Sequence, residues 1–555
     1  MSFLVKPIRK RKITVIKKGD VSMIDKVIIK NFKSVESLSL NINKDINILV
    51  GDNEQGKSTI LEAINLALTA SLNKRSIHNE LSPFIFNRKT VNNYLKLLRN
   101  KTTTEPPKIL IEVYFEKSDI VASLKGTNNS LKEDAWGISL SIELDEEFAD
   151  EYKEYIKNPD EINNIPIEYY TVKWYSFAFS PLTVRSTPVK CVLIDATEGK
   201  AWNGTERYIS NIIGNTLDLK QKVALNVNYR DLKESFSNIN AIRDINSSLS
   251  SKTGEISDKG LSISLDVSQK SGWESHLTAY LDEIPFDLIG KGEQNSIKLK
   301  LSLETNLEDV HVILIEEPET HLSFTNMSKL VKQISEKCVG KQLLITTHST
   351  YVLNKLGLDH VIFLNQGKTM TLKDLDKDTY NYFKKLPGYD TLRLILSEKA
   401  ILVEGPSDEL IVQKAYLQKY GRLPIEEGID VITIRGLSFK RYLEIADKLS
   451  KFVTVITDND GDIEKNINKK YGKKYINHSK IRICYGKDED YPTLEPQLVK
   501  ANGVKRLNKI LETNYSTEED LIKYMTSPSK KSECAMQLFD SEEILEIPEY
   551  IEDAI

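Results

Sequence analysis

The hydrophobic pattern changes its period several times along the chain. Residues 24–32 alternate apolar and polar positions, which predicts a half-buried strand, and residues 38–42 read as its hairpin partner. Residues 46–50 form a short continuous apolar run instead, the pattern of a strand buried on both faces. This run feeds straight into Gly51, and the spacing over 59–72 then predicts a helix. Strands are predicted at 108–115 and 137–144, with a polar loop over 125–134 between them. From about 208 to 250 the spacing turns helical, and a Ser/Asn/Gly-rich stretch follows. After Gly290 the order is helix, strand 310–315, helix, strand 342–346, helix, strand 360–364. A charged connector over 371–390 leads to a second alternation. It comprises strand 400–403, helix 408–420, strand 430–434, helix 439–449 and strand 452–457. The expected class is α/β throughout. The expected domains are a basic arm over 1–22, a first domain over 23–385 with a helical segment inserted near 208–250, and a second domain over 386–555.

Length and composition narrow the class. A chain of 555 residues is too long for one core. With 40% hydrophobic residues its bulk is expected to fold. No apolar run approaches the ~18–20 residues that span a bilayer, and Lys6, Arg9, Lys10, Arg11 and Lys12 break up any secretory core. Cys191, Cys338, Cys484 and Cys534 are widely separated, which argues against a zinc site or a disulfide framework. A cytoplasmic setting with no membrane is therefore expected. The net charge of −4 does not advertise nucleic-acid binding, but its distribution is uneven. The first twenty residues carry seven Lys/Arg against one acid, and residues 540–555 carry seven acids and no base. A basic arm can contact phosphates, although charge blocks of this length are more often simply solvated.

The first chemical signal is Gly51-Asp52-Asn53-Glu54-Gln55-Gly56-Lys57-Ser58-Thr59, which fits G-x-x-x-x-G-K-[S/T] between a predicted strand and a predicted helix. Its backbone N–H groups can cradle phosphates at the helix N-terminus. Lys57 would reach the β/γ-phosphates and Ser58 would bind Mg²⁺, with Asn53, Gly56 and Thr59 completing the cradle. Downstream, an apolar strand ends in Glu316 and Glu317. The first carboxylate can complete the magnesium shell and the second can orient the attacking water. One strand later His348 follows Thr347, where an imidazole can contact a γ-phosphate; alone, a histidine there is more often structural.

Together these residues resemble the ABC ATPase set, in the branch shared with SMC-like and recombination-repair ATPases. In that family a signature segment of one head closes over the ATP of another. Residues 290–296, with Gly292 and Gln294, are the counterpart here, so the resemblance implies a dimer or higher assembly. Two positions depart from the family. Glu316 stands where Asp is usual, and no Gln lies between Gln55 and Gln221 to form the glutamine loop, leaving His78 and Asn79 as substitutes.

The second half is marked by carboxylates. A strand ends at Glu404, and Pro406 opens a helix with Asp408 in its first turn, where an acid alone commonly serves the helix dipole. A buried-type strand runs into Asp458-Asn459-Asp460-Gly461-Asp462. Three acids within five residues repel one another unless a cation neutralises them, and Asp-x-Asp supplies the oxygen ligands that Mg²⁺ or Mn²⁺ prefers. The order Glu404, Asp408, Gly436, Asp458, Asp460 resembles the Toprim domain of topoisomerases, primases and certain nucleases. An ABC head followed by Toprim resembles the overcoming-lysogenization-defect (OLD) family of nucleases. That resemblance implies Glu495 as a further ligand, Asp462 as an outer one, and Lys531, beside Lys530, as the cation at the scissile phosphate. It implies an ATPase and two-metal DNA endonuclease or nickase with ATP and Mg²⁺ or Mn²⁺ as cofactors. The catalytic set would be Glu317, His348, Glu404, Asp458, Asp460 and Lys531. It further implies bacterial anti-phage defence with DNA and self as partners, together with a helicase or a reverse transcriptase and its RNA–DNA product. Two rivals carry less of the pattern. An SMC-like clamp with a non-cleaving Toprim unit would need heptad arms, which residues 59–290 lack. A topoisomerase or primase would need a companion domain.

Overall fold

The computed structural model describes residues 23–555 apart from 53, 74, 196–216, 237, 252–261, 266–279, 305–309, 366, 386–388 and 435–437. The basic arm, Asn53 and Gly436 therefore lie outside the described residues. Two compact units emerge. One is built mainly from Thr187–Ile345, the other from Ile24–Lys117, Val121–Ser186 and Thr346–Ile555.

In the larger unit, alternation over Ile24–Phe32 produces a strand whose Val27 and Ile29 are fully buried. It pairs antiparallel with Val35–Asn41 on one side and Ile109–Phe115 on the other, with Ile29 opposite both Leu38 and Ile111. The sheet continues antiparallel through Ala135–Leu144 to Tyr170–Ser176. Tyr170–Ser176 was not anticipated; its half-exposed, polar pattern lacks a clean alternation. Its Trp174 donates from Nε1 to the Ala67 carbonyl (2.9 Å), fastening the sheet to the end of helix Lys57–Thr69. Strand Ile46–Gly51 is buried on both faces as expected and runs parallel to Val361–Asn365, which turns back antiparallel into Lys368–Thr371.

The C-terminal part is a four-stranded, wholly parallel sheet in the order Ile429–Thr433, Lys399–Val403, Phe452–Ile456, Ile481–Cys484. Parallel strands need crossover helices. Pro406–Tyr420 and Phe439–Leu449 supply the first two. The expected boundary near 385 falls inside this unit, because the parallel sheet is bonded to what precedes it. Asn365, almost wholly buried, donates from Nδ2 to the Leu449 carbonyl (2.5 Å), and Lys368 Nζ donates to Ser450 Oγ (2.8 Å). Glu444, also buried, accepts the Asp376 N–H. The acidic end is no loose tail. Leu545, Tyr550, Ile551 and Ala554 are buried in the core of the parallel sheet.

The smaller unit holds Cys191–Asp195 parallel to Val312–Glu316, with Asp195 opposite Glu316. Its helices Leu219–Phe236 and Asn240–Ser250 agree with most of the helical reading of about 208–250, of which 208–216 lie outside the described residues. Among the described residues no helix is long and apolar enough to cross a membrane.

Replacing Asn365 by Leu keeps the branched shape of the side chain, though not its smaller volume, and strands the Leu449 carbonyl. An unsatisfied buried acceptor costs about 1–3 kcal/mol. Thermal or denaturant unfolding of Asn365→Leu is expected to show that loss, and unchanged stability would mean the bond contributes nothing.

Candidate active site

The loop after Ile46–Gly51 has the backbone of a phosphate cradle. Gly56 sits at φ 88°, and a Cβ there would press on Val35 Cγ2 at 3.0 Å, so glycine alone is comfortable. The helix then starts at Lys57 with no side-chain cap, leaving its first N–H groups for a ligand. Lys57 Nζ donates to the Gly51 and Asp52 carbonyls, both at 2.9 Å, which holds the ammonium over the loop. Thr59 is buried and shares a hydrogen bond with Ser34 (2.8 Å), whereas Ser58 is exposed. Thr347 donates its N–H to the Leu49 carbonyl (3.4 Å), so His348 leaves its strand beside the strand that feeds the cradle. His78 and Asn79 are exposed on the short helix Ile77–Glu80.

The smaller unit places Glu316 at the end of its strand and Glu317 immediately after, at φ 39°. A positive φ is uncommon for a side chain that size and marks a tightly determined turn. Gly292 explains part of that determination. A Cβ on it would meet the His321 carbonyl oxygen at 2.3 Å, so only glycine lets helix Lys291–Glu304 approach the loop after Glu317. Asn295 Nδ2 ties the two together through the Thr320 carbonyl (3.1 Å). Gln294 Nε2 donates to the Phe286 and Ile289 carbonyls (3.0 and 3.1 Å), so its amide holds its own loop.

In the parallel sheet, adjacent strands deliver Glu404 and Asp458 at their C-terminal ends. Glu404 Oε1 accepts from Thr457 Oγ1 and from the Asp458 N–H (3.1 Å). Asp408 Oδ2 accepts the Gly405 N–H (3.0 Å), the capping role that its place in the first turn predicts. It is also more than a cap. Burial, then the negative charge of Glu404, pushes its carboxyl up to about 7. Asp458 is pushed up to about 9, first by burial and then by Asp408, Glu404 and Glu495. Glu495 is 3% exposed on the first turn of Leu494–Leu511, and Lys531 Nζ lies 2.9 Å from its Oε1. Lys531 opposes the shifts of both aspartates, while the neighbouring Lys530 turns to Glu533 (2.7 Å). Glu495, Asp408 and Asp458 thus all act on Lys531.

Asp460 and Asp462 do not share the partial burial of this group. Both are exposed, and Asp462 Oδ1 accepts the Lys465 N–H (2.9 Å). The residue between the aspartates causes this. Asn459 is fully buried, with Nδ2 donating to the Gly486 and Asp488 carbonyls (both 2.8 Å) and Oδ1 accepting from Gly461 N–H (2.8 Å). With Asn459 locked and Asp460 at φ 49°, the chain swings Asp460 outward.

The donor set fits a divalent cation in its chemistry. It is all oxygen, short of positive charge and held at strand ends, which suits Mg²⁺ or Mn²⁺. Among the described residues, no three His, Cys, Asp or Glu side chains are closed round one point. Two tyrosines escaped the sequence reading. Tyr471 and Tyr550 are buried and each feels the charge of Glu404; among the described residues the Tyr550 hydroxyl has no hydrogen-bond partner, while that of Tyr471 lies beside Thr457. The signal for Tyr550 was present, since Ile547, Tyr550, Ile551 and Ala554 recur at helical spacing through the acidic end.

Residues 395–460 match the TOPRIM domain model of "Overcoming lysogenization defect protein-like" proteins. Residues 26–182 match an AAA domain model, and 210–354 match the model described as "AAA domain, putative AbiEii toxin, Type IV TA system". The chain is 21% identical over 478 residues to "Endonuclease GajA" of Bacillus cereus (strain VD045), covering 81% of this chain and 76% of that one. It is 37% identical over 62 residues to "DNA replication and repair protein RecF" of Lachnospira eligens, covering 11% of this chain and 17% of that one. Among solved structures, an Smc head bound to the C-winged helix domain of ScpA aligns with 63% of this chain and 99% of its own, at 16% identity and a TM-score of 0.33.

The raised carboxyls make stability depend on pH. Asp408 and Asp458 hold protons in the folded chain up to about 7 and 9, whereas unfolded aspartates release them near ~4. The unfolded state therefore binds fewer protons across that window, and stability falls as pH rises from about 4 to 9. In metal-free buffer the melting temperature is expected to drop over this range, and Asp458→Asn to flatten the drop. An equal slope in wild type and variant would contradict the geometry.

Proposed function

We propose that this chain, which pairs AAA-type ATPase segments with a Toprim segment like that of overcoming-lysogenization-defect proteins, is a divalent-metal-dependent DNA endonuclease or nickase, gated by ATP binding and hydrolysis, acting in bacterial anti-phage defence. The observation that carries the nuclease reading is the group Glu404, Asp408, Asp458 and Glu495 with Lys531 alongside. Unneutralised carboxylates at the ends of parallel strands are a poor structural choice and a good cation trap. Glu404, Asp408, Asp458 and Glu495 would hold Mg²⁺ or Mn²⁺, with Asp460 and Asp462 on the exposed turn as outer residues. Bound there, divalent ions supply an activated water and charge stabilisation for phosphodiester hydrolysis. Lys531 then serves as a fixed positive charge for the phosphate, where charge develops as the P–O bond breaks. A related chain named as an endonuclease, similar over most of the length, supports the same reading.

In the ATPase head, Lys57 is poised for the β/γ-phosphates, its two carbonyl partners being the ones a phosphate would replace. Ser58 and Glu316 serve Mg²⁺, Glu317 and His348 the hydrolysis, and Gly292 the packing of the signature helix. Self-association is part of the proposal. Leu219, Val223 and Leu232 stand exposed on Leu219–Phe236, which supports a role for this helix in pairing heads. A helicase, or a reverse transcriptase with its RNA–DNA product, is the defence partner this reading allows.

Purified chain with supercoiled plasmid and Mg²⁺ or Mn²⁺ tests the assignment. Asp458→Ala is expected to abolish nicked and linear products while ATP affinity stays at the wild-type value. Lys57→Ala is expected to lose ATP binding. Wild-type chain that leaves the plasmid intact under ATP, ATP-free and analogue conditions would overturn the nuclease reading.

A further inference from the structure

A helical segment over 464–476 follows the acidic turn Asp458–Asp462, a π-helical stretch Glu464–Lys469 running into helix Lys470–Ile476. Residues 463–476 carry five lysines against one acid, in a chain whose net charge is −4. Two faces separate at a spacing of four. Ile467, Tyr471 and Tyr475 are buried, while Lys465, Lys469 and Lys473, each two residues earlier, are exposed. The apolar face holds the segment to the domain and leaves the cationic one to water.

The segment is fastened to the residues on both sides of Asp458. Asn466 Nδ2 donates to the Asn459 carbonyl (3.1 Å), and the Tyr471 hydroxyl lies beside Thr457, which donates to Glu404. Just past its far end, His478 joins Lys474 on the Asp447 carboxylate, at 3.2 and 3.0 Å. The acids at its start are taken up locally. Asp462 Oδ1 accepts the Lys465 N–H, Glu489 Oε1 the Ile463 N–H and Glu464 Oε2 the Asn468 side-chain amide, all at 2.9 Å. The lysines are not equivalent either. Lys470 lies over the Phe439 and Tyr471 rings (5.8 and 5.4 Å), and Lys474 pairs with Asp447. Among the described residues, Lys465, Lys469 and Lys473 enter no ion pair. A charged helix face is commonly just solvated, but this one stands beside four carboxylates. Those carboxylates repel a phosphodiester, so an adjacent row of cations supplies the attraction that would bring one in.

We propose that Lys465, Lys469 and Lys473 form a docking surface for the sugar–phosphate backbone of duplex DNA, beside the carboxylate group that cuts it. The assignment rests on the nuclease reading for its substrate and deepens it by naming where that substrate is held. Lysine suits the task, since a compact charge on a flexible stem meets phosphates without reading bases. Lys531 has a different place, beside the buried Glu495. Docking surface and cutting group are then joined through one short run of chain, from Thr457 to Lys473.

The full chain carrying Lys465→Ala, Lys469→Ala and Lys473→Ala together tests this. It is compared with the same three positions changed to Arg, and with Lys509→Ala, which removes an exposed lysine paired with Glu543 elsewhere in the domain. Binding of a fluorescent DNA duplex is measured in Ca²⁺ across a NaCl series, and single-turnover plasmid cleavage in Mn²⁺. The alanine variant is expected to bind about 10- to 100-fold more weakly near ~0.1 M salt, and the slope of log affinity against log salt to shrink by about 2–3. Its cleavage is expected to slow at low DNA and to recover at saturating DNA. The arginine variant and Lys509→Ala are expected to keep the wild-type affinity and slope. Wild-type affinity and slope in the alanine variant would overturn the proposal and leave the nuclease reading standing. An arginine variant as weak as the alanine one, or an equal loss in Lys509→Ala, would overturn it as well. Wild type that leaves plasmid intact while its duplex affinity still depends on the three lysines would remove the nuclease reading and keep the surface.

Discussion

Like charges brought together at the ends of parallel strands are the constraint on which the C-terminal half is organised. Glu404 and Asp458 leave neighbouring strands side by side, Asp408 follows one turn into a helix, and Glu495 enters from the helix beyond the edge strand. Each is at least partly withdrawn from water, and each raises the cost of ionising the next. Among the described residues, Lys531 is the cation that acts most on both raised aspartates, one positive charge beside four carboxylates. Such an arrangement is unstable on electrostatic grounds and useful on chemical ones, since a hard divalent ion converts repulsion into attraction.

The rest of the larger unit holds that group in place. Strand register fixes Glu404 beside Asp458, and Asn459 locks the turn after Asp458 through two backbone carbonyls. The same lock throws Asp460 into solvent. Further back, Asn365 and Lys368 bond the end of Phe439–Leu449 to the sheet that carries the phosphate cradle. Lys451, one residue before strand Phe452–Ile456, donates to the Ser397 carbonyl (2.6 Å) and feels the charge of Asp52 in the cradle loop. The strand that leads to Asp458 therefore begins within electrostatic reach of the loop that follows Ile46–Gly51.

Much of this was legible in the sequence because the informative patterns are local. Continuous apolar runs predicted the buried strands 46–50 and 342–346, and the cradle motif is read from nine consecutive residues. The order of acids in the second half was equally visible, and Glu495 and Lys531, both singled out by the resemblance, stand 2.9 Å apart. What escaped depends on tertiary placement. No local rule says that Asn459 would be buried and Asp460 exposed, or that Gln294 would bond its own loop. Strand Tyr170–Ser176 exists because its neighbour needs an edge partner rather than through its own alternation. Tyr550 was hidden by the charge around it, since an acidic end reads as a solvated tail unless its apolar spacing is followed.

Crystals grown with Mn²⁺ and measured at the manganese absorption edge test the central claim most directly. Anomalous density is expected among Glu404, Asp408, Asp458 and Glu495, with those side chains drawn toward it. A map in which that space is empty of manganese while the four carboxylates remain apart would contradict the account.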